Sequence, residues 1–317
     1  MGLIPDSNTA STTSALFQCT CLHKPQATAR WRQQTLQSSG TYGWLLRIGL
    51  AGLRPSTMRQ STTEMRERNT PTAMPQLEDG TCQVWWARPM AARPRLGLLL
   101  DQAERDRWRR LVRKDDQDRL MVAVALTRLV LAWHLDRPPD QLHFDRTCRI
   151  CGAQHGKPRL TDDRTGLQFS VSHSGQRVAM AIVRDAHVGV DVEQIVPGLE
   201  VEALAPQVLS ENERKVFDEL APGDRQRGFL AYWTRKEALL KATGDGLRVP
   251  MDSITVSGPG EPPVLRRWSG PSDSLTPVAL RTLHPGRDHV ASLAVLGLPT
   301  VRVHELDAQA LLATPLC

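Results

Sequence analysis

The sequence predicts an α+β protein built as a pseudo-twofold duplication of two similar α+β halves, preceded by a disordered N-terminal extension. Three observations predict it. A strand, a helix, a longer helix and a second strand follow one another twice along the chain. Of 317 residues, 40% are hydrophobic and 23% charged, a globular composition. Residues 1–80 share neither property: they are rich in Ser, Thr, Gln and Ala, and Asp6 is their only acidic residue before Glu64. The expected division is 1–80 extension, 81–186 first half and 187–317 second half. The likeness of the halves is one of pattern, not of residues, so chance similarity of two α+β units is the alternative.

The extension lacks sustained apolar periodicity and cannot offset its ordering entropy by burial. Its composition fits a disordered tail, an organelle transit peptide, or upstream sequence ahead of a later start at Met65 or Met74. From Thr81 the elements follow in order. Cys82 to Ala87 reads as a strand. Asp101 to Lys114 reads as a helix, with Ala103, Trp108, Leu111 and Val112 at helical spacing. Gln117 to Leu135 is a longer helix, ended by Asp136 and Pro138-Pro139. Leu142 to Phe144 is a short strand. Gly166–Ser174 and Val178–Arg184 form a hairpin about Gly175-Gln176-Arg177, and Val188–Ile195 is a further strand. Ser210 and Glu213 open a helix with a capping-box pattern. Arg225 to Thr243 is the second long helix, stopped at Gly244 and Gly246. Short strands follow near Ser253–Val256, Pro277–Arg281, His289–Val295 and Val301–His304.

Charge and composition exclude several classes. A net charge of +6 spread along the chain is too diffuse for a nucleic-acid face. No apolar run reaches membrane-spanning length; Leu120 to Leu135 is interrupted by Arg128 and His134. Six cysteines make no disulfide framework, and a reducing, cytoplasmic setting is expected.

The chemistry concentrates between Gln168 and Leu247. Asp191 and Glu193, at i and i+2 of a β-branched strand, leave one face. Two like charges that close call for a hard divalent cation such as Mg²⁺ or Mn²⁺, or else for full solvation. On the second long helix, Trp233, Glu237, Leu240 and Lys241 share one face. Apolar residues beside a carboxylate and an ammonium favour a partly buried site over a surface ion pair. Glu237 could complete a three-carboxylate site or act as a base, and Lys241 could hold a phosphate as a point charge. Ser172 and His173 end a strand before a turn and suit phosphate oxygens. A Ser–His hydrolase is the rival, but no GxSxG elbow surrounds Ser172. In Gly156-Lys157-Pro158, Gly permits close approach and Lys157 supplies a cation.

Together, Gly156-Lys157-Pro158, Ser170-Val171-Ser172-His173-Ser174, Gly189-Val190-Asp191-Val192-Glu193 and Trp233-Thr234-Arg235-Lys236-Glu237-Ala238-Leu239-Leu240-Lys241-Ala242-Thr243-Gly244 resemble the 4′-phosphopantetheinyl transferases of the larger, surfactin-synthetase-activating type. The resemblance spans roughly Val84 to Val303. It implies a fold of two similar halves, and transfer of the phosphopantetheine arm of coenzyme A to a serine of an acyl, polyketide or peptidyl carrier protein. It also implies Mg²⁺ as cofactor and release of adenosine 3′,5′-bisphosphate. By resemblance, Asp191, Glu193 and Glu237 hold the metal and Glu237 is the base. Lys241 contacts phosphate, Lys157, Ser172 and His173 bind coenzyme A, and Arg107 is a 3′-phosphate ligand. A monomer with dimer-like halves is expected, without nucleic-acid or membrane partners. Two departures stand out: His155 replaces an aromatic frequent before the Gly, and Ser170 replaces a frequent Asn.

His143, Cys148, Cys151 and His155 form H-x₄-C-x₂-C-x₃-H, which either closes a tetrahedral zinc site or leaves a free dithiol in a loop. Two other functions compete with the transferase. One is a metal-dependent phosphohydrolase or nuclease using the three carboxylates. The other is a non-enzymatic zinc-loop module for nucleic acid, suggested by the CxxC and a pI of about 9.2.

Overall fold

Strand β1 (Thr81–Ala87) is buried along its whole length, and its alternating side chains enter two different cores. Trp85 and Ala87 face one; Cys82, Val84 and Trp86 face the other. That division organises the molecule. The structure, a computed structural model, describes residues 74–314 apart from 149–151, 155, 162–163, 245, 247–248 and 269–276. Most of the expected 1–80 extension therefore lies outside the described residues. Residues 74–80 belong to the fold: Leu77 is buried, and the Gln83 amide donates to the Pro75 and Gln76 carbonyls at 3.0 and 3.1 Å.

After β1 come α1 (Gln102–Arg109), α2 (Lys114–Leu135), β2 (Phe144–Asp145), β3 (Arg159–Leu160), β4 (Leu167–Ser174), β5 (Arg177–Arg184) and β6 (His187–Gln194). Then follow α3 (Val201–Val208), α4 (Glu211–Asp218), α5 (Pro222–Thr243), β7 (Ile254–Val256), β8 (Leu265–Trp268), β9 (Val278–Leu283), β10 (His289–Leu296), β11 (Arg302–Asp307) and α6 (Gln309–Ala313). The helix expected over Asp101–Lys114 stops at Arg109. Arg113 turns extended (φ −92°, ψ 133°) as the N-cap of α2, which leaves Val112 85% exposed instead of on a buried face. Helix α3 carries Pro206 inside it, and this helix, β3, β8 and α6 were not expected from periodicity.

Strands β11, β1, β5 and β4 form one sheet in that order, and β6, β10 and β9 form another. The hairpins β2–β3 and β7–β8 stand apart. Within this order the duplication is explicit. β1–α2–(β2, β3)–β4–β5 is repeated as β6–α5–(β7, β8)–β9–β10, and the sheet orders β1-β5-β4 and β6-β10-β9 correspond. One core packs α2 on the first sheet. A second packs α3, α4 and α5 on the second sheet. The third lies between the sheets, where Val84, Trp86 and Ala181 meet Val190, Val192 and Leu293. The layers run helix, sheet, sheet, helix.

Each long helix has 22 residues and ends on a left-handed residue, Asp136 (φ 50°) or Gly244 (φ 82°). The fifteenth residue of each is a buried cation. Arg128 donates to Glu104 Oε2 at 2.9 Å and to the carbonyls of Pro139 and Leu142. Lys236 donates to Glu213 and to the carbonyls of Val208 and Met251. Both glutamates are third residues of short helices and accept the backbone N–H of the preceding N-cap, Asp101 or Ser210. The capping box expected at Ser210 is present, with Glu213 accepting the Ser210 N–H at 2.7 Å. A cation sharing a carboxylate and two carbonyls offsets the cost of burying charge.

Candidate active site

The face of β6 turned away from the sheet interface carries Gly189, Asp191 and Glu193. Helix α5 lies on that face, and Gly189 explains how closely. A Cβ there would sit 1.9 Å from the Ala238 carbonyl oxygen and 2.5 Å from the Ala242 N, so only glycine admits the helix. The contact brings Glu237 and Lys241 over the two strand carboxylates. Asp191, Glu193 and Glu237 are each no more than 2% exposed, and Lys241 is 7% exposed.

Lys241 Nζ donates to Asp191 Oδ1 at 2.7 Å and to Ser172 Oγ at 3.0 Å. Burial works against its charge, but Asp191 and Glu237 outweigh burial and hold its pKa above the usual lysine value. Ser172 donates to the same Asp191 oxygen at 2.9 Å, and Ser174 donates to Glu193 Oε2 at 2.8 Å. Asp191 Oδ2 and both Glu237 oxygens are buried without a hydrogen bond. Burial, with the Asp191 charge beside it, raises Glu237 to about 8 against the opposing pull of Lys241. Burial and Asp191 also push Glu193 well above the usual carboxylate range.

Three buried carboxylates, two of them with orphaned oxygens, gather about one ammonium. Such groups are neutralised by a proton or by a cation. An all-oxygen donor set of this kind fits a hard divalent ion. Among the described residues no three His, Cys, Asp or Glu side chains are arranged as a closed coordination site; Lys241 and Ser172 occupy one oxygen of Asp191, and Ser174 one oxygen of Glu193.

His173 follows Ser172 on β4 and faces the other way. Burial, then the charges of Arg107, Arg119 and Lys241, lower its pKa to about 3, so the imidazole is neutral. Arg107 is itself lowered to about 10 by burial and by Arg146. Positive charges about a neutral imidazole suit anionic oxygens, although Arg119 also pairs with Asp116 and Arg146 with Glu104. The structure thus brings together Arg107, His173 and Lys241 from the sequence-derived set. Arg119 and Arg146 join them with no sequence signal to announce them.

Two expected ligands have other partners here. Lys157 donates to the Val188 carbonyl at 2.8 Å and the Ala242 carbonyl at 3.2 Å, tying the start of β6 to the end of α5. Ser172 is 5% exposed, and its hydroxyl serves Asp191, Lys241 and the Val192 N–H. Of the four zinc candidates, Cys151 and His155 lie outside the described residues, and His143 is exposed. A cavity of about 350 Å³ rimmed by Arg88, Arg93, Arg95, Arg177 and Asp307 lies elsewhere; Asp191, Glu193 and Glu237 do not line it.

The site is built once although the fold is built twice. Asp191 opposes the fourth residue of β10, Ser292; in the first sheet the fourth residue of β5, Met180, opposes Trp85. Glu237 and Lys241 are the sixteenth and twentieth residues of α5, and those places in α2 hold Leu129 and Trp133. Trp85 fills with indole the space that the second half gives to carboxylates.

A family model described as the 4′-phosphopantetheinyl transferase superfamily matches residues 187–294. A model described as the N-terminal part of 4′-phosphopantetheinyl transferase matches residues 86–184. The 4′-phosphopantetheinyl transferase HetI of a Nostoc species is 32% identical over 205 residues, covering 64% of this chain and 81% of that protein. The 4′-phosphopantetheinyl transferase Sfp of Bacillus subtilis is 27% identical over 180 residues, covering 55% and 74%.

Proposed function

The chain belongs to the 4′-phosphopantetheinyl transferase superfamily, and on that premise we propose that it moves the phosphopantetheine arm of coenzyme A onto a serine of an acyl, polyketide or peptidyl carrier protein, with Mg²⁺, leaving adenosine 3′,5′-bisphosphate. The observation that carries this reading is Glu237: a buried carboxylate without a hydrogen bond, raised to about 8, on a helix face shared with Lys241 and opposite Asp191.

A serine hydroxyl is a poor nucleophile, and a carboxylate raised toward neutrality is suited to taking its proton. Glu237 fills that role. Asp191, Glu193 and Glu237 are the residues that would hold Mg²⁺, which when bound supplies charge neutralisation at the pyrophosphate of the donor. Lys241 presents its ammonium to the phosphate whose bond is exchanged, and Asp191 and Ser172 fix its direction. Arg107, Arg119 and His173 receive the remaining anionic oxygens of the nucleotide. Lys157 acts here by fastening β6 to α5, and Ser172 by orienting Asp191. The two halves, divided near 186/187 except that β11 and α6 return to the first sheet and its core, act as one monomer. No helix among the described residues is long and apolar enough to cross a membrane.

Incubating a panel of apo carrier proteins with coenzyme A, Mg²⁺ and the enzyme tests the reading. Mass spectrometry should show one phosphopantetheine arm on the acceptor serine and one adenosine bisphosphate released per arm. Phosphodiester cleavage without an acceptor adduct refutes it.

A further inference from the structure

Among the described residues the edge of β6 that faces away from β10 has no ladder-paired strand; β4 of the other sheet runs alongside it, residue for residue at a constant offset. Serine hydroxyls take the place of strand carbonyls along that edge. Ser170 Oγ accepts the Val190 N–H at 3.1 Å, Ser172 Oγ accepts the Val192 N–H at 3.3 Å, and Ser174 Oγ accepts the Gln194 N–H at 3.1 Å. All three serines are buried. With a lone pair committed to a backbone amide, each hydroxyl hydrogen is directed elsewhere. For Ser172 it goes to Asp191 Oδ1 and for Ser174 to Glu193 Oε2. Among the described residues Ser170 bonds no carboxylate.

From this ladder we infer that Ser172 and Ser174 are positioning residues: they clamp one oxygen each of Asp191 and Glu193 across the seam between the halves and so present the carboxylates to a divalent cation. The inference rests on the cation reading proposed above and extends it to residues that would touch neither the metal nor the substrate. The geometry explains why the two carboxylates remain in register. Each is tied through one serine to the backbone amide of the residue that follows it, so its rotation is coupled to the strand. It also gives the second sheet's edge a role in metal affinity, because opening the seam releases both clamps together. Removing the hydrogen-bond partner of a metal-ligating carboxylate costs about 10–100-fold in metal affinity.

The ladder contains its own control. Ser170→Ala removes an amide acceptor and nothing else, whereas Ser174→Ala removes an amide acceptor and a carboxylate clamp. Manganese binding to the metal-stripped full chain is measured by calorimetry and by the loss of the free Mn²⁺ resonance, alongside melting temperature and the KM for coenzyme A. Both variants should melt below wild type. Only Ser174→Ala should weaken Mn²⁺ binding by about 10–100-fold, with KM for coenzyme A unchanged. Ser174→Thr, which keeps the hydroxyl, should return the affinity toward wild type. If Ser174→Ala does not fold, Ser174→Cys, whose thiol is a weak donor, should show an intermediate loss. Equal Mn²⁺ affinity in Ser170→Ala, Ser174→Ala and wild type overturns the inference while leaving the transferase reading intact. A rise in KM for coenzyme A without a change in Mn²⁺ affinity also overturns it and makes Ser174 a substrate contact. A wild-type chain that modifies carrier protein without binding Mn²⁺ or Mg²⁺ overturns the cation reading itself.

Discussion

Replacing Glu237 by Gln should make the metal-free protein more stable and the enzyme nearly inactive. The structure fixes the sign. Burial and Asp191 raise this carboxyl to about 8, against about 4.3 in an unfolded chain. The native state therefore binds the proton more tightly than the unfolded state. Its stabilising contribution is complete below pH ~4.3 and is lost as pH rises through ~8. At pH 7 the loss amounts to about 4 kcal/mol. Glutamine cannot ionise, so it escapes that loss, but its buried amide inherits the orphaned environment at a cost of about 1–3 kcal/mol. The net gain at pH 7 is about 1–3 kcal/mol, larger at pH 8 and absent near pH ~5. Urea midpoints of both proteins in chelator, from pH 5 to 9, measure it. Single-turnover transfer should meanwhile fall by about 10²–10⁴ if Glu237 takes the serine proton. A difference in midpoint that stays flat across pH 5–9 would refute the assignment of the raised pKa to Glu237. Full rescue of the rate at saturating Mg²⁺ would remove it as base and leave it a metal ligand.

Asp191→Ala should abolish transfer and leave Lys241 without its carboxylate partner, with a native circular dichroism spectrum; wild-type turnover at limiting Mg²⁺ in a folded variant counts against the site. Lys236→Met should lower stability by about 3–5 kcal/mol, because Glu213 is left buried and uncompensated; adding Glu213→Gln should recover part of that in the same denaturant titration. Gly189→Ala should destabilise by about 1–3 kcal/mol or more through the clash with the Ala238 carbonyl, and it should impair transfer by lifting Glu237 and Lys241 from β6. A chain beginning after Gly80 should melt below one beginning at Met74, since Leu77 leaves the core and the Gln83 amide loses two carbonyls; equal melting temperatures would show that 74–80 contribute nothing.

The sequence by itself determined the parts of this protein whose information is local. Period-2 alternation placed Asp191 and Glu193 on one face of one strand, and period-3.6 spacing placed Glu237 and Lys241 on one face of one helix. Repetition of element order exposed the duplication; Asp136 with Pro138-Pro139 marked the stop of one long helix and Gly244 that of the other. What only the tertiary structure decided is which partner each group meets. Lys236 and Lys241 stand five residues apart on one helix and look alike in sequence. One is fully buried in an ion pair with Glu213 that Arg128 and Glu104 repeat in the other half, and the other points at Asp191. Lys157 and Ser172 read as phosphate ligands by type and position, yet Lys157 bonds carbonyls 31 and 85 residues away, and Ser172 bonds Asp191 19 residues away. The alternation Ser170, Ser172, Ser174 was visible, but its use as a set of acceptors for a strand edge was not. A hydroxyl's role is set by what the other sheet brings to it, and that docking is driven by the Val84, Trp86 and Val190 interface, which is non-directional and leaves no periodic trace at the serines.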